Sequence, residues 1–425
     1  MTKQSGLQPG APGAFHRQIL FGTAFTFLTS GVFLSGLAMY MGAGDLLVSY
    51  ISMIVNICGV SILFFSGLVG RFRSYKSLAV SLTALSRAAT LLLVLIPLAV
   101  PKGAQLAVFV PLMVLAFTLQ AQTTVVLNNW LVTFVSEQQS GRYIAKRQTI
   151  VLTATVVLSL AGGRVMDAVN GAYVGFLLLF FAAFLMAAGE LVVLLRIPDG
   201  VQARQTDEKR PFWRSIGAPL RCRPYLGFVV YIFLFYLFMA LADSFTVVYM
   251  MRYLQLSYAA TTGLQLVISL PQIFLLGFWG KLGDQRGHRF ALAASICFFV
   301  GEMLFMGLSN LANLYLCIPI AFLFAAMGNA GFVVSVFNRR YELMPQQDRI
   351  VYDNFYSAAV GLAFILGPLT GGAIKQLLET TGWGDQLLQF GSIRLLYLLA
   401  AAGITLLQLV MHGKAWRPAH KVQAH

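Results

Sequence analysis

Charged residues are scarce in this chain of 425 residues. Asp, Glu, Lys and Arg together make up 11% of it, whereas a soluble domain has about 25%. Hydrophobic residues make up 58%. So little polar surface cannot cover the core of a water-soluble protein of this length. The composition therefore predicts that lipid covers most of the surface.

Acidic residues and cysteines are also few. The chain has 15 Asp and Glu against 30 Lys and Arg, so its formal net charge is +15. The basic residues are spread over seven separate segments rather than one stripe, which argues against a nucleic-acid-binding surface. The four cysteines have no metal-ligand spacing, so neither a metal site nor a disulfide is expected. Because nucleotide-binding and zinc-protease motifs are also absent, we predict no cofactor and no enzyme activity.

Long uncharged runs are abundant, for example residues 46–70, 103–136 and 303–338. A helix that spans a bilayer needs about 20 apolar residues. Backbone groups in lipid must pair within their own segment, so these runs are expected to be helices. The pattern predicts twelve spans, numbered here in chain order, at residues 18–41, 47–69, 78–99, 105–128, 148–170, 172–195, 225–250, 258–279, 289–308, 312–336, 350–378 and 392–412.

The placement of Lys and Arg predicts the orientation, because basic loops stay on the cytoplasmic side of a membrane. With both termini in the cytoplasm, the cytoplasmic segments hold 24 of the 30 basic residues. Their side chains are expected to face anionic lipid headgroups. The predicted organisation is a cytoplasmic tail (1–17), an N-terminal six-helix bundle (18–195), a basic cytoplasmic linker (196–224), a C-terminal six-helix bundle (225–412) and a second tail (413–425).

The two halves of the sequence repeat each other. A shift of 209 residues overlays "GRYIAKRQTIVLTATVVLSLAGG" (141–163) on "IVYDNFYSAAVGLAFILGPLTGG" (350–372), with Tyr143 on Tyr352. Because each repeat has an even number of spans, the halves are predicted to be parallel. Two such bundles can rock about a central cavity and expose it to one side of the membrane and then to the other.

The most specific motif lies between spans 8 and 9. The stretch "GKLGDQRGHRF" (280–290) carries Gly280, Leu282, Asp284, Gly287 and Arg289 in the spacing GxLxDxxGxR. Together with the twelve spans, the repeat and the basic linker, it resembles the cytoplasmic loop signature of the major facilitator superfamily. The resemblance covers the whole chain. It implies an all-α membrane protein built from two pseudo-symmetric six-helix bundles.

The resemblance also implies that this loop belongs to a cytoplasmic gate. Asp284 could cap a helix N-terminus or pair with an arginine, and Arg339 and Arg340 are the candidate partners. The alternative is an ordinary basic loop with a turn. The first-half loop (70–76) has Ser74 where an acid is expected, so the gate is predicted to be asymmetric. The GPxxGG element of the family's antiporters stands in span 11 (367–372) rather than span 5, which leaves export in doubt.

Uncharged polar side chains inside the spans are the candidate substrate ligands. By the repeat, Gln120 in span 4 corresponds to Asn329 in span 10, and both amides offer donors and an acceptor. The alternative for each is an interhelical hydrogen bond. The abundant aromatic residues suit an amphipathic or apolar organic ligand better than a phosphate or a dicarboxylate. Further candidates are Thr124, Gln265, Tyr236 and Phe33.

Four ionisable residues inside the predicted spans are functional candidates by default. Asp243, in the outer part of span 7, is the first candidate for proton coupling, and Glu302 in span 9 is the second. The alternative for Asp243 is a structural acid bonded to a nearby hydroxyl. Arg87 and Glu190 are predicted to form a structural charge pair, because an isolated charge in lipid is costly.

These features predict a secondary active transporter of the bacterial cytoplasmic membrane. It would move a small amphipathic organic molecule by alternating access, with proton-coupled export preferred. Import or uniport by the same fold is one alternative. Another is a membrane receptor or lipid-handling protein that does not transport, because fold does not fix function. We expect a monomer.

Overall fold

The computed structural model describes residues 11–61, 74–132, 134, 137–199, 217, 219–345 and 349–413. Every regular element in these ranges is a helix. Within them, eleven helical stretches are long and apolar enough to cross a membrane, and a shorter apolar helix, Asp45–Gly59, stands where span 2 is predicted. The chain is therefore an all-helical multi-pass membrane protein, as the sequence predicts.

Span 1 is broken in the middle. It consists of the helices Ala11–Thr29 and Gly31–Tyr40. Gly31 has φ +54, a left-handed conformation that glycine adopts without steric cost. The other helices of the first half are Asp45–Gly59 in span 2, Tyr75–Leu92 with Leu93–Leu95 and Ile96–Ala99 in span 3, Gln105–Val132 in span 4, Glu137–Ala168 in span 5 and Tyr173–Arg196 in span 6.

The helices of the second half extend further than the hydropathy pattern predicts. Span 8 was expected to end at residue 279, but its helix continues to Arg286, one residue before the helix-breaking Gly287. The helices are Arg223–Asp243 with Thr246–Val248 and Tyr249–Tyr253 in span 7, Tyr258–Arg286 in span 8, His288–Leu308 in span 9, Leu314–Leu343 in span 10, Arg349–Thr381 in span 11 and, after the short helix Trp383–Leu387, Gly391–Gly413 in span 12.

The chain divides into two compact units. The first unit comprises Met1–Phe212 and Val247–Leu266, and the second comprises Trp213–Thr246 and Val267–His425. The predicted bundles differ from these units in one segment. Val247–Leu266, which the sequence assigns to the C-terminal bundle, belongs to the first unit.

Two carboxylates of the first unit explain why this segment belongs to it. Asp45, at the start of span 2, forms an ion pair with Arg252. Asp167, near the end of span 5, accepts hydrogen bonds from the backbone N–H groups of Tyr258 (2.8 Å) and Ala259 (3.0 Å). These groups belong to the first turn of the span 8 helix, where a negative charge is favourable. Polar contacts thus attach the segment to spans 2 and 5.

Candidate functional site

A cavity of about 380 Å³ lies within the first unit. Its walls come from spans 1, 3, 4 and 5, and most of its polar groups are hydroxyls and amides. A volume of this size accommodates a small organic molecule. Among the described residues that line the cavity there are two arginines, Arg87 and Arg147, and no Asp or Glu.

Two of the predicted substrate ligands line this cavity. Gln120 donates from Nε2 to the hydroxyl oxygen of Thr26 at 2.9 Å, and its Oε1 is buried without a partner in the part of the chain that the structure describes. Thr124 lies one turn further along span 4 and donates to the carbonyl oxygen of Gln120 at 3.1 Å. The structure therefore brings these two side chains together on one wall.

The counterpart of Gln120 in the second half has a different environment. Asn329 donates from Nδ2 to the carbonyl oxygen of Ala325, one turn earlier in its own helix, at 3.0 Å. This bond is within span 10 and is not the interhelical bond that the alternative anticipates. The sequence repeat therefore relates the positions of the two amides but does not give them the same hydrogen bonds.

The predicted aromatic ligands take part in packing. Tyr236 contacts the rings of Phe332 and Phe364, with centroids 5.5 and 5.2 Å apart. Phe33 is buried and stacks on Tyr258 at 6.4 Å. Neither ring lines the cavity of the first unit. The side chain of Gln265, the remaining candidate, lies outside the described residues.

Arg87 and Glu190 meet in the interior of the first unit, where both are buried. Arg87 Nε lies 2.9 Å from Glu190 Oε2, and Arg87 Nη2 lies 3.3 Å from Oε1. Gln18 donates to the same carboxylate at 2.8 Å, and the guanidinium lies over the ring of Phe25 at 4.3 Å. The pair holds spans 1, 3 and 6 together at one edge of the cavity.

Asp243 and Glu302 are neighbours in the second unit and interact electrostatically. Thr246 donates to Asp243 at 3.0 Å and contacts the hydroxyl of Tyr397 in span 12 at 2.9 Å. Bonding to a hydroxyl is the contact that the structural alternative anticipates. Oε2 of Glu302 is buried with no partner among the described residues.

No cation neutralises this carboxyl pair in the described ranges, where neither acid forms an ion pair. Arg394, a buried cation of span 12, donates instead to the carbonyl oxygens of Gly307 and Leu308 at 2.9 and 3.2 Å. Asp243 on span 7 and Glu302 on span 9 thus interact without a fixed positive charge bonded to either within the described residues.

The gate motif forms the last turns of span 8 and the start of span 9. Gly280 and Asp284 lie within the helix, and Gly287, with φ +88, makes the turn into the helix that contains Arg289. The tight turn is therefore made by one glycine. Asp284 points into solvent, with 79% of its side chain exposed, and its ion-pair contact is with His288 at 3.9 Å.

Asp284 and the two arginines have other partners among the described residues, so their pairing stays a prediction. Arg339 pairs with Glu342 at 2.8 Å, and Arg340 pairs with Asp353 at 3.0 Å. Span 8 stays helical through its charged end, so Asp284 lies on the solvent side of the final turn. Arg339 instead pairs with an acid of span 10, Glu342, and Arg340 pairs with an acid of span 11, Asp353.

The first-half loop does have an acid, although the local sequence lacks one. Ser74 caps the span 3 helix by accepting from the backbone N–H of Ser77 at 3.1 Å, and its hydroxyl donates to Asp199. Asp199 also accepts from the backbone N–H of Lys76 at 3.3 Å. The carboxylate comes from the chain just after span 6. Gly70, the first residue of that loop (70–76), lies outside the described residues.

Sequence reasoning missed Arg147 as a cavity residue. Span 5 was predicted to start at residue 148, but its helix starts at Glu137, so Arg147 lies inside it. The signal was the four-residue spacing of Arg147, Val151 and Thr155, which places all three on one helix face. All three line the cavity, and Arg147 donates to Asn128 Oδ1 at 3.0 Å.

Comparisons with known proteins agree with this architecture. Residues 19–349 match the family model described as Major Facilitator Superfamily. No curated protein is similar enough in sequence to match. One solved structure with the same fold is a POT family transporter in complex with a thioalcohol-conjugated peptide, with a TM-score of 0.71 and 14% identity over 94% of this chain and 96% of that chain. A second is the nucleoside transporter NupG, with a TM-score of 0.69 and 12% identity over 94% of this chain and 98% of that chain. A third is a D-xylose–proton symporter, with a TM-score of 0.68 and 13% identity over 94% of this chain and 95% of that chain. At these identities the similarity shows the fold alone.

Proposed function

Because the chain belongs to the Major Facilitator Superfamily, we propose that it is a secondary carrier that exports a small amphipathic organic molecule in exchange for protons. The fold of this family supports secondary transport. The cavity lined by Gln120, Thr124 and Thr26 is the observation that carries the proposal. The carrier would work by alternating access, with this cavity as part of the substrate site.

The lining of the cavity supports an amphipathic ligand. Ile19, Phe27, Leu127 and Val151 contribute apolar surface among the hydroxyls and amides. Pockets for small organic molecules commonly combine apolar walls with a few polar groups that fix the orientation of the ligand. A fully apolar substrate would leave the polar groups of this cavity without partners, which is unfavourable.

The carboxyl pair of the second unit supports proton coupling. An acid that carries a proton in a transport cycle must release and regain it, and a permanent ion pair with a cation would oppose this. Asp243 and Glu302 have no such partner among the described residues. Asp243 is the proposed carrier of the proton, with Glu302 as the neighbour that tunes it or accepts the proton in turn.

Glycine packing in spans 5 and 11 is compatible with export but does not fix the direction of transport. The family's antiporters resemble this chain in a glycine-rich element that allows close helix contacts. A Cβ at Gly371 would lie 2.2 Å from the carbonyl oxygen of Leu241, and one at Gly163 would lie 2.4 Å from Thr262 Oγ1. In the repeat Gly371 corresponds to Gly162, where a Cβ would lie 2.7 Å from Phe33 Cζ, so this element packs closely in both halves, although span 5 lacks the proline of the motif. Import is the alternative, since one structure with this fold is a D-xylose–proton symporter.

Positive charge supports the proposed placement in the membrane. The predicted cytoplasmic segments hold most of the Lys and Arg residues, as the orientation rule requires. We propose a bacterial cytoplasmic membrane as the location, with both termini in the cytoplasm and anionic headgroups at that face. We also propose that the protein functions as a monomer.

Proteoliposomes test the function directly. Purified protein would be reconstituted into vesicles that contain a pH-sensitive dye, and amphipathic compounds would be added with and without an imposed pH gradient. Protein-dependent proton movement that requires the compound is the expected result. Compound movement that is unaffected by collapse of the gradient would identify a uniporter instead. The absence of any protein-dependent flux across a broad set of compounds would contradict the carrier function.

A further inference from the structure

Among the described residues that line the cavity of the first unit, one positive charge has no acidic partner. Arg87 is neutralised by Glu190 at 2.9 Å. Arg147, in contrast, has Asn128 as its hydrogen-bond partner, and this amide has no charge. With no acid among the described lining residues, nothing in the wall balances the Arg147 guanidinium. A bound anion would neutralise the charge of this guanidinium.

Several hydrogen-bonding groups in the wall of the same cavity also lack partners among the described residues. Nη1 of Arg87 and Oε1 of Gln120 are buried without partners in the described part of the protein. Both side chains line the cavity, as do the hydroxyls of Thr23 and Thr155. Unsatisfied buried polar atoms are rare in native proteins, and each calls for a partner such as a ligand or a water molecule.

The polar and apolar parts of the wall are arranged along span 1. Its helical face presents Ile19, Thr23, Phe27 and Ser30 to the cavity in steps of three or four residues. A ligand lying along this face would meet alternating apolar and hydroxyl groups. Arg147 of span 5 supplies the one charge that has no acidic partner among the described residues lining this cavity. The arrangement suits one charged group joined to an apolar body.

We propose that the substrate class is an amphipathic organic monoanion whose carboxylate binds Arg147. The proposal rests on the proposed function, because it assigns a ligand class to the cavity that the carrier would use. The guanidinium can bind a carboxylate through two parallel N–H···O bonds. Organic cations are disfavoured because the described part of the wall offers two guanidinium groups and no carboxylate. Dianions are disfavoured because one of those groups is already neutralised.

Binding to the purified full-length protein in detergent tests the ligand class without requiring transport. The probes are phenylbutyrate and indoleacetate, their uncharged amides, and phenylbutylammonium as the cation. Thermal unfolding would be followed at increasing probe concentration, and the dissociation constant derived from the shift. We expect the carboxylates to raise the unfolding midpoint in a saturable way. We expect no comparable shift from the amides or the cation.

Substitutions at Arg147 test the residue assignment. Arg147→Gln should weaken carboxylate binding by about tenfold or more, because it removes a charge-assisted bond. The carboxylate affinity of Arg147→Lys should lie between those of the wild type and Arg147→Gln, since lysine keeps the charge but not the planar fork of the guanidinium. The matched control is Lys146→Gln, which removes one positive charge at the exposed neighbouring residue that does not line the cavity. It should bind like the wild type.

Three results would overturn the inference. They are no stabilisation by either carboxylate, equal stabilisation by an amide or by the cation, and unchanged carboxylate affinity in both Arg147 variants. Failure of the carrier function is a different result. Specific carboxylate binding without flux in proteoliposomes would contradict transport and leave the ligand class intact. Flux of uncharged or cationic compounds without carboxylate binding would contradict the ligand class and leave transport intact.

Discussion

At the scale of single residues, the buried Arg87–Glu190 pair gives the clearest expectation for stability. We predict that Arg87→Met lowers the free energy of unfolding by about 3–5 kcal/mol, because it leaves a buried carboxylate without its cation. Glu190 is fully buried, and the donor that remains to it among the described residues is Gln18. Thermal or denaturant unfolding in detergent measures the change.

A double variant provides the control for this prediction. Arg87→Met combined with Glu190→Leu removes both charges, and it should be more stable than either single variant, because no buried charge is left unpaired. Lys102→Gln, at an exposed position, gives the baseline for a surface charge. If Arg87→Met were as stable as this baseline, the pair would not be the structural element that its burial indicates.

Asp243 is the residue on which the proposed proton coupling would depend. Asn keeps nearly the same shape and can still accept the hydrogen bond from Thr246, but it cannot ionise. We predict that Asp243→Asn abolishes accumulation against a gradient and leaves energy-independent exchange largely intact. Both activities would be measured on the same purified variant. Parallel loss of both, with lower protein yield, would identify a structural acid, and full accumulation would shift the proposal to Glu302.

At the scale of helices, span 5 packs closely on the start of span 8. A Cβ at Gly163 would lie 2.6 Å from the Cα atom of Ala259 as well as against Thr262, so the backbone itself would have to move. We predict that Gly163→Ala destabilises the protein by about 1–3 kcal/mol, the usual cost of overpacking. Unfolding in detergent would measure it.

Gly263 is the matched control, because it lies in the same region of span 8 and a Cβ there would meet nothing within 4 Å. Gly263→Ala should be neutral or slightly stabilising, since alanine favours the helix. Equal stability of the two alanine variants would show that the close contact at Gly163 does not constrain the helices.

The end of span 8 is the element that the gate motif occupies. If Asp284 stabilises one closed arrangement during the cycle, as the family resemblance implies, Asp284→Asn is predicted to reduce transport without preventing membrane insertion. In this structure Asp284 is largely exposed and contacts His288 rather than an arginine. A bond between Asp284 and an arginine would therefore have to form in another state of the transport cycle. Cysteine accessibility at the cytoplasmic face, with and without substrate, would report the change. Unaltered accessibility and flux would remove Asp284 from the gate.

At the scale of the whole molecule, the distribution of Lys and Arg predicts the topology. A fluorescent protein fused after residue 425 should fluoresce, and an alkaline phosphatase fused there should be inactive, because the C-terminus is expected in the cytoplasm. A phosphatase fusion after residue 102, between spans 3 and 4, is the opposite control and should be active. Reversed results would overturn the orientation and the assignment of the gate to the cytoplasmic side.

Much of the fold was predictable because the membrane imposes strong rules on a sequence. Long uncharged runs in lipid must be helices, so the positions of the spans follow from hydropathy. Helix ends were less predictable, because hydropathy marks the edge of the lipid rather than the end of the helix. The helices of spans 5 and 8 continue into charged residues, and this continuation is what places Arg147 in the cavity and Asp284 on a solvent-facing turn.

By itself, the sequence determined the helical membrane class, the repeat, the family resemblance and the residues to consider, because these depend on composition and spacing along one chain. Tertiary structure alone decided which of those residues meet. Gln120 lines a cavity and Asn329 bonds to its own helix, although the repeat equates them. Asp199 accepts a hydrogen bond from Ser74, which lies 125 positions away, and Asp243 interacts electrostatically with Glu302 on another span. Such contacts depend on how helix faces are turned toward one another, and neighbours along the chain do not encode that rotation.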